Sequence, residues 1–344
     1  MTPVHMEKRL RLNLNESPFH PLPSVVRAIV DELDTINRYP PFFPTSAQKS
    51  LAGWIGLDAA NIITGNGSVG VALQVLAAGR SSRLVYSVPT FDGYPLLADM
   101  TGARKIAVPV DADGVQALDA LAAGAGSSDA TIVLCNPHNP TGIALKPTEV
   151  IRFLRSLPHS LTVIIDEAYI EFADERFRCD LRELLSCHPR VVVLRTFSKA
   201  YGLAGMRVGY GIANADFAEY IQGHALPFGF SAIAQVAMEA SIAAHAELQA
   251  RVEAVRRERF ALRSDLRRLG VRVFSSQTNF LWLPWEDGAP DWAERLDGGG
   301  VQIKIYPEQG VRLSIGDEAE NAIVRKASRF SVSAHGDKAL ADTL

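Results

Sequence analysis

Cysteine is scarce in this sequence. Three in 344 residues, Cys135, Cys179 and Cys187, are too few and too scattered to form a disulfide framework. No run of about 18 apolar residues occurs, so no segment reads as a membrane span. No apolar N-terminal stretch reads as a secretion signal, and the expected location is the cytoplasm. No charge of one sign dominates. The 35 basic and 38 acidic residues leave a formal net charge of −3, too small a field to favour nucleic acid or an anionic membrane. The arginines from Arg251 to Arg268 are broken up by acidic residues at helical spacing, as on a solvated helix face. Eight histidines include no HExxH and no paired ligand spacing, so no metal is expected.

What the chain does have is the ordinary make-up of a globular protein, 47% hydrophobic and 21% charged, with length enough for a large and a smaller unit. Short β-rich runs alternate with helical stretches between about residues 60 and 215. Candidate strands are Arg83–Ser87, Lys105–Val110, Thr131–Cys135, Thr162–Ile165, Val191–Arg195 and Arg207–Ile212. Most are continuous apolar runs, which suits a parallel sheet covered on both faces. Strands separated by helices imply right-handed crossovers and an α/β fold. A helical pattern runs from Ala232, capped by Ser231, to Leu269 and stops at Gly270. It is long enough to bend or break. Beyond it, Val271–Phe274, Asn279–Leu283, Val301–Ile305 and Val311–Ile315 read as strands of a smaller α+β domain. The expected division is an extended segment and helix over 1–35, a large α/β domain over 36–235, a small α+β domain over 236–335 and a frayed tail over 336–344.

The informative residues fall at predicted strand ends. Lys199 lies in Thr196-Phe197-Ser198-Lys199-Ala200-Tyr201-Gly202, with Arg207 close behind. Such an amine among hydroxyl residues suits a Schiff base with pyridoxal 5'-phosphate (PLP), with Thr196, Ser198 and Arg207 on the cofactor's phosphate. Asp166 ends the strand Val163-Ile164-Ile165, where open α/β sheets bind ligands. Opposite a pyridine nitrogen, its carboxylate would keep that nitrogen protonated; a helix N-cap aspartate is the lesser alternative for this motif alone. Asn139, in Asn136-Pro137-His138-Asn139-Pro140, sits in a turn stiffened by its prolines, and with Tyr169 suits the cofactor's ring oxygen. Phe91 is a candidate to stack on the ring, although an isolated phenylalanine is more often core.

Gly65-Asn66-Gly67-Ser68-Val69-Gly70 precedes a helical run and offers amides to a phosphate. It also fits G-x-G-x-x-G, the dinucleotide fingerprint, with Asp92 at about the spacing of the ribose acid. An NAD-dependent dehydrogenase is therefore a remote alternative, but it leaves Lys199, Asp166 and Asn139 unexplained.

Together these motifs resemble the class I/II (fold type I) PLP-dependent aminotransferases, and within them the histidinol-phosphate aminotransferase family. The likeness runs from Leu12-Asn13-Leu14-Asn15-Glu16-Ser17-Pro18 to Arg312-Leu313-Ser314-Ile315-Gly316. It implies a fold type I α/β architecture, with a mostly parallel seven-stranded sheet and a smaller α+β domain. The implied catalytic residues are Lys199, Asp166 and Tyr169. Ser68, Val69, Phe91, Asn139, Thr196, Ser198 and Arg207 would join them around PLP. Tyr39, in Arg38-Tyr39-Pro40, would reach the phosphate of a neighbouring subunit, which implies a homodimer with shared active sites. Arg312 would grip the substrate's α-carboxylate, with Asn15 and Lys304 also at the substrate.

The implied reaction is a transamination in amino-acid biosynthesis, between an amino acid or amino alcohol phosphate and a 2-oxo acid. A PLP-dependent amino-acid(-phosphate) decarboxylase or lyase is the alternative on the same fold. Two departures bear on the substrate. Val69-Gly70 stands where the family usually has acidic residues, and Lys304 lies in a stretch that usually carries an arginine. A lysine lacks arginine's two-pronged grip on phosphate, which weighs against histidinol phosphate.

Overall fold

A computed structural model describes residues 9–285 and 289–329. The expected 336–344 tail and the first eight residues of the N-terminal segment lie outside these. The chain begins with β1 (Leu10–Arg11). The central strands follow as β2 (Ile62–Asn66), β3 (Arg83–Val88), β4 (Arg104–Pro109), β5 (Ala130–Cys135), β6 (Thr162–Asp166), β7 (Val191–Thr196) and β8 (Val208–Ala213). They form one sheet in the order β2-β8-β7-β6-β5-β3-β4. All the ladders are parallel except the two that β8 makes with β2 and β7. Every residue of β5, β6 and β8 is buried, as continuous apolar runs in a doubly covered sheet require. The helices that cover it pack on both faces, dividing its apolar side chains into two buried clusters.

β2 has no counterpart among the expected strands, because it runs into the glycine-rich segment Gly65-Asn66-Gly67. It forms because Gly65 and Asn66 pair with Gly209 and Val208 of β8, a partner more than 140 residues away that no local pattern reveals. The helix that follows therefore starts at Gly67 and runs to Gly79.

The long helical stretch is two helices, Ala232–Ala243 and His245–Arg268, broken at Ala244. The Ser231 hydroxyl caps the first by accepting from Ala234 N at 3.1 Å, and Gly270 ends the second with φ +81°. Beyond lie β9 (Phe280–Pro284), β10 (Val301–Gln302), β11 (Lys304–Tyr306) and β12 (Gly310–Ser314). Strands β11, β12 and β9 form an antiparallel three-stranded sheet, while β10 pairs in parallel with β1. The expected strand Val301–Ile305 is thus split at Ile303, its halves serving different sheets. The expected strand Val271–Phe274 is irregular chain. Its recorded backbone link to β9 is Phe274 N to Trp282 O, at 3.1 Å, which is not a ladder. Among the described residues no helix is long and apolar enough to cross a membrane.

Candidate active site

Because β5, β6 and β7 run parallel, their carboxyl ends meet at one edge of the sheet. The antiparallel β8 brings its amino end there too, beside the end of β2. Five chain segments therefore deliver side chains to one crevice, where such sheets bind ligands. A cavity of about 170 Å³ lies there, lined by Ser68, Val69, Phe91, Asn139, Asp166, Tyr169, Thr196, Ser198, Lys199 and Arg207 among others. Residues separated by more than 130 positions are gathered as the sequence motifs anticipated.

At the end of β6, Asp166 is buried and accepts from the Tyr94 hydroxyl at 2.7 Å and from Ala168 N at 3.0 Å. Burial pushes its carboxyl above the usual range, against the pull of these two donors and of Lys199. A desolvated carboxylate with so little compensation suits a cationic N–H opposite it. Tyr94 was not singled out in the sequence. It lies three residues beyond Phe91, whose ring it meets edge-on at 5.5 Å.

After β5, the turn is fixed from within. Asn136 Oδ1 accepts from Leu145 N at 2.8 Å, and Thr141 Oγ1 donates to Gly114 O at 2.8 Å. The neighbouring His138 is driven down to about 3 by burial and is neutral. Asn139 projects from this turn and donates to the Tyr169 hydroxyl at 3.2 Å, while its Oδ1 accepts from Arg312 Nη1 at 2.7 Å. The Tyr169 oxygen also accepts from Asn15 Nδ2 at 3.0 Å. Two donors occupy the phenol's lone pairs, and its own O–H is left to donate to a further acceptor.

The Lys199 amine donates to the carbonyl of Leu14 at 3.0 Å and stands 5.8 Å from the Tyr169 ring centre. Desolvation, reinforced by Arg312 and Arg207, lowers it to about 8. An amine lowered this far from the usual lysine range, in a cavity, is a candidate nucleophile.

The other end of the cavity gathers hydroxyl, guanidinium and backbone N–H groups of the kind that suit an anion. Ser198 N donates to Thr196 Oγ1 at 3.1 Å, and Arg207 Nη1 donates to the Ser198 hydroxyl at 3.2 Å. Ser68 and Val69 open the first turn of the helix Gly67–Gly79, where backbone N–H groups lack helical partners. Gly67 has φ +72°, and a Cβ on it would come within 2.3 Å of Arg207 Nη2. A Cβ on Gly209 would lie 2.2 Å from Ser68 N. Gly209→Ala is therefore expected to displace the 67–68 backbone, destabilising the fold by about 1–3 kcal/mol and weakening phosphate binding. Thermal unfolding and equilibrium dialysis against PLP test this, and an unchanged melting temperature with unchanged affinity would refute it.

This geometry removes the basis of the dinucleotide alternative. Gly65 is inside a strand whose neighbour is antiparallel, and Gly67 faces Arg207. Asp92 lies at the start of the helix Gly93–Thr101 and is ion-paired with Lys304 at 2.7 Å.

Arg312 of β12 is 5% exposed. Besides Asn139, its fork donates to the Tyr306 hydroxyl at 3.2 Å and to Asn13 O at 2.7 Å. Its Nε has no recorded hydrogen-bond partner among the described residues, a donor left over for a carboxylate to satisfy. Asn15, expected at the substrate, has its amide engaged by Tyr169 and by Ser314, whose hydroxyl donates to Asn15 Oδ1 at 3.1 Å. Its reach toward a ligand runs through Tyr169. Tyr39 does not join the cluster. It is 85% exposed and packs against Phe228, at 5.1 Å between ring centres.

The sequence matches the family described as "Aminotransferase class I and II" over residues 7–344. It is 40% identical over 319 residues to an "Aromatic amino acid aminotransferase" of Cutibacterium acnes, covering 92% of this chain and 91% of that one. A protein of the same description from Streptomyces coelicolor is 39% identical over 320 residues, with 92% and 89% covered. Among solved structures, histidinol-phosphate aminotransferase from Sinorhizobium meliloti in complex with pyridoxal-5'-phosphate superposes with a TM-score of 0.85. It is 28% identical, with 93% of this chain and 91% of that chain covered. L-threonine-O-3-phosphate decarboxylase from Porphyromonas gingivalis, 24% identical with a TM-score of 0.80 over 94% and 99% of the two chains, shares the fold.

Proposed function

The chain belongs to the class I and II aminotransferases, and we propose that it transfers the amino group of an amino acid with an aromatic side chain to a 2-oxo acid. It is a PLP-dependent transaminase. The cofactor, when bound, supplies an electrophilic carbonyl for the substrate's amine and a pyridine ring that withdraws electrons from Cα. The residues of the cavity fit that group at both ends. Ser68, Val69, Thr196, Ser198 and Arg207 would hold its phosphate, and Asp166 would face its ring nitrogen. Tyr169 and Asn139 would hydrogen-bond the ring oxygen, with Phe91 against the ring face.

In this reading Lys199 anchors the cofactor and, once released, moves a proton from the substrate's Cα. An amine at about 8 suits that task, since it passes between protonation states near neutral pH. Arg312 orients the donor through its α-carboxylate. Asn15 holds the Tyr169 phenol in place. A second copy of the chain would cover the exposed Tyr39, Phe42, Phe43, Leu226 and Phe228, and the patch supports the homodimer with shared active sites, Tyr39 reaching across.

The observation that carries the aromatic reading is the activity named for the Cutibacterium and Streptomyces relatives. The structural likeness to the Sinorhizobium enzyme keeps histidinol phosphate as the second reading. The test is amino transfer to 2-oxoglutarate by the PLP-loaded protein from phenylalanine, tyrosine, tryptophan and histidinol phosphate. An aromatic donor is expected to exceed histidinol phosphate in kcat/KM by at least about tenfold. Preference for histidinol phosphate would refute the aromatic reading, and release of CO2 without amino transfer would refute transamination.

A further inference from the structure

Strand β11 pairs with β12 so that Lys304 lies directly opposite Arg312. Opposed residues in an antiparallel pair project from the same face, so two cations stand side by side, and Arg312 is hydrogen-bonded to Asn139 of the cavity wall. They are treated differently. The recorded partners of the Arg312 fork are the neutral Asn139, Tyr306 and Asn13, and it keeps its charge for a ligand. Lys304 gives its charge to Asp92, at 2.7 Å.

Asp92 comes from a distant part of the chain, at the start of the helix Gly93–Thr101 and next to Phe91 of the cavity wall. The couple is tied to the site itself. Lys304 Nζ lies 5.5 Å from the centre of the Tyr306 ring, and the Tyr306 hydroxyl accepts from Arg312. The side chains of Asp92 and Lys304 are 70% and 35% exposed. An ion pair so open to water holds together weakly, and a better-placed anion displaces it.

We propose that Asp92 is a specificity-determining residue: it competes with acidic substrate side chains for Lys304. This rests on the aminotransferase reading. A donor with an uncharged side chain meets a neutral Asp92–Lys304 couple. A donor with a second acidic group, carboxylate or phosphate, must displace Asp92 to reach Lys304. Because both half-reactions use the same site, the couple lets one pocket accept both kinds of side chain while favouring the neutral one. Selectivity arises from an unfavourable element as well as an attractive one.

The experiment compares kcat/KM of the PLP-loaded protein for L-phenylalanine, L-glutamate and O-phospho-L-serine. Asp92→Asn keeps the side chain's size and removes its charge. It is expected to raise the ratio of either acidic donor to phenylalanine roughly two- to fivefold, the upper range for releasing a solvent-exposed ion pair. Adding Lys304→Met to that variant is expected to cancel the gain, because the cation that Asp92 masks is gone. A ratio that is unchanged or lower in Asp92→Asn, or a gain that survives in the double variant, overturns the proposal. Absence of amino transfer from every donor by the unaltered protein overturns the underlying reading instead.

Discussion

Lys199→Ala is expected to reduce amino transfer by more than about 10^4-fold, beyond the range for losing a single positioned proton-transfer group. In the proposed reading two functions are lost together, the covalent hold on the cofactor and the base at Cα. No neighbour replaces it. The nearby Arg312 and Arg207 carry guanidinium groups and no amine that could take over the covalent link, and Asp166 is committed to Tyr94 and Ala168. The phosphate cradle and Asp166 are untouched, so the variant should still bind PLP without a covalent link.

The same amine sets a pH dependence. Burial and the two arginines bring Lys199 to about 8. The neutral amine is the reactive form, so its fraction grows with pH and saturates above that value. PLP capture by cofactor-free protein should therefore rise with pH and level off above about 8. Stopped-flow absorbance measures it. A midpoint near the usual lysine value, or turnover surviving in Lys199→Ala, would remove Lys199 from this role.

Asp166→Asn is expected to lower kcat by about 10^2–10^3-fold, as for other losses of preorganised charge stabilisation. Asparagine keeps the shape and can still accept from Tyr94. What it lacks is the negative charge that holds a pyridinium proton. The charge matters more here because burial has stripped the carboxylate of water and left it two recorded hydrogen-bond donors. Binding of PLP should suffer less than turnover, since the phosphate contacts remain. A variant with normal kcat, or one whose only defect is weak cofactor binding, would show that Asp166 anchors the ring without activating it.

Much of this site was legible in the sequence because its residues sit at the ends of strongly apolar strands. Cys135, Asp166 and Thr196 terminate β5, β6 and β7, and a parallel sheet carries such ends to one edge. Lys199, Asn139 and Tyr169 follow within a few positions of them. Contacts made across long separations were less legible. Tyr94 under Asp166, Asn15 on Tyr169 and Asp92 on Lys304 are partnerships between segments 72, 154 and 212 residues apart. None leaves a periodic trace. The misread segments have the same cause. β2 exists because β8 pairs with it, Val271–Phe274 stays irregular for want of a ladder, and Ile303 marks where a strand changes partner.

The sequence by itself determined the α/β class and the set of chemical groups at the strand ends. Burial of continuous apolar runs and the stiffness of proline and glycine turns are local properties, written residue by residue. Only the tertiary structure decided what each group faces. It lowered Lys199 by burying it beside two arginines, left Arg312 Nε without a recorded partner among the described residues, and gave Lys304 to Asp92. Those are electrostatic facts, and charge acts through distance and dielectric, which the fold sets and the order of residues does not.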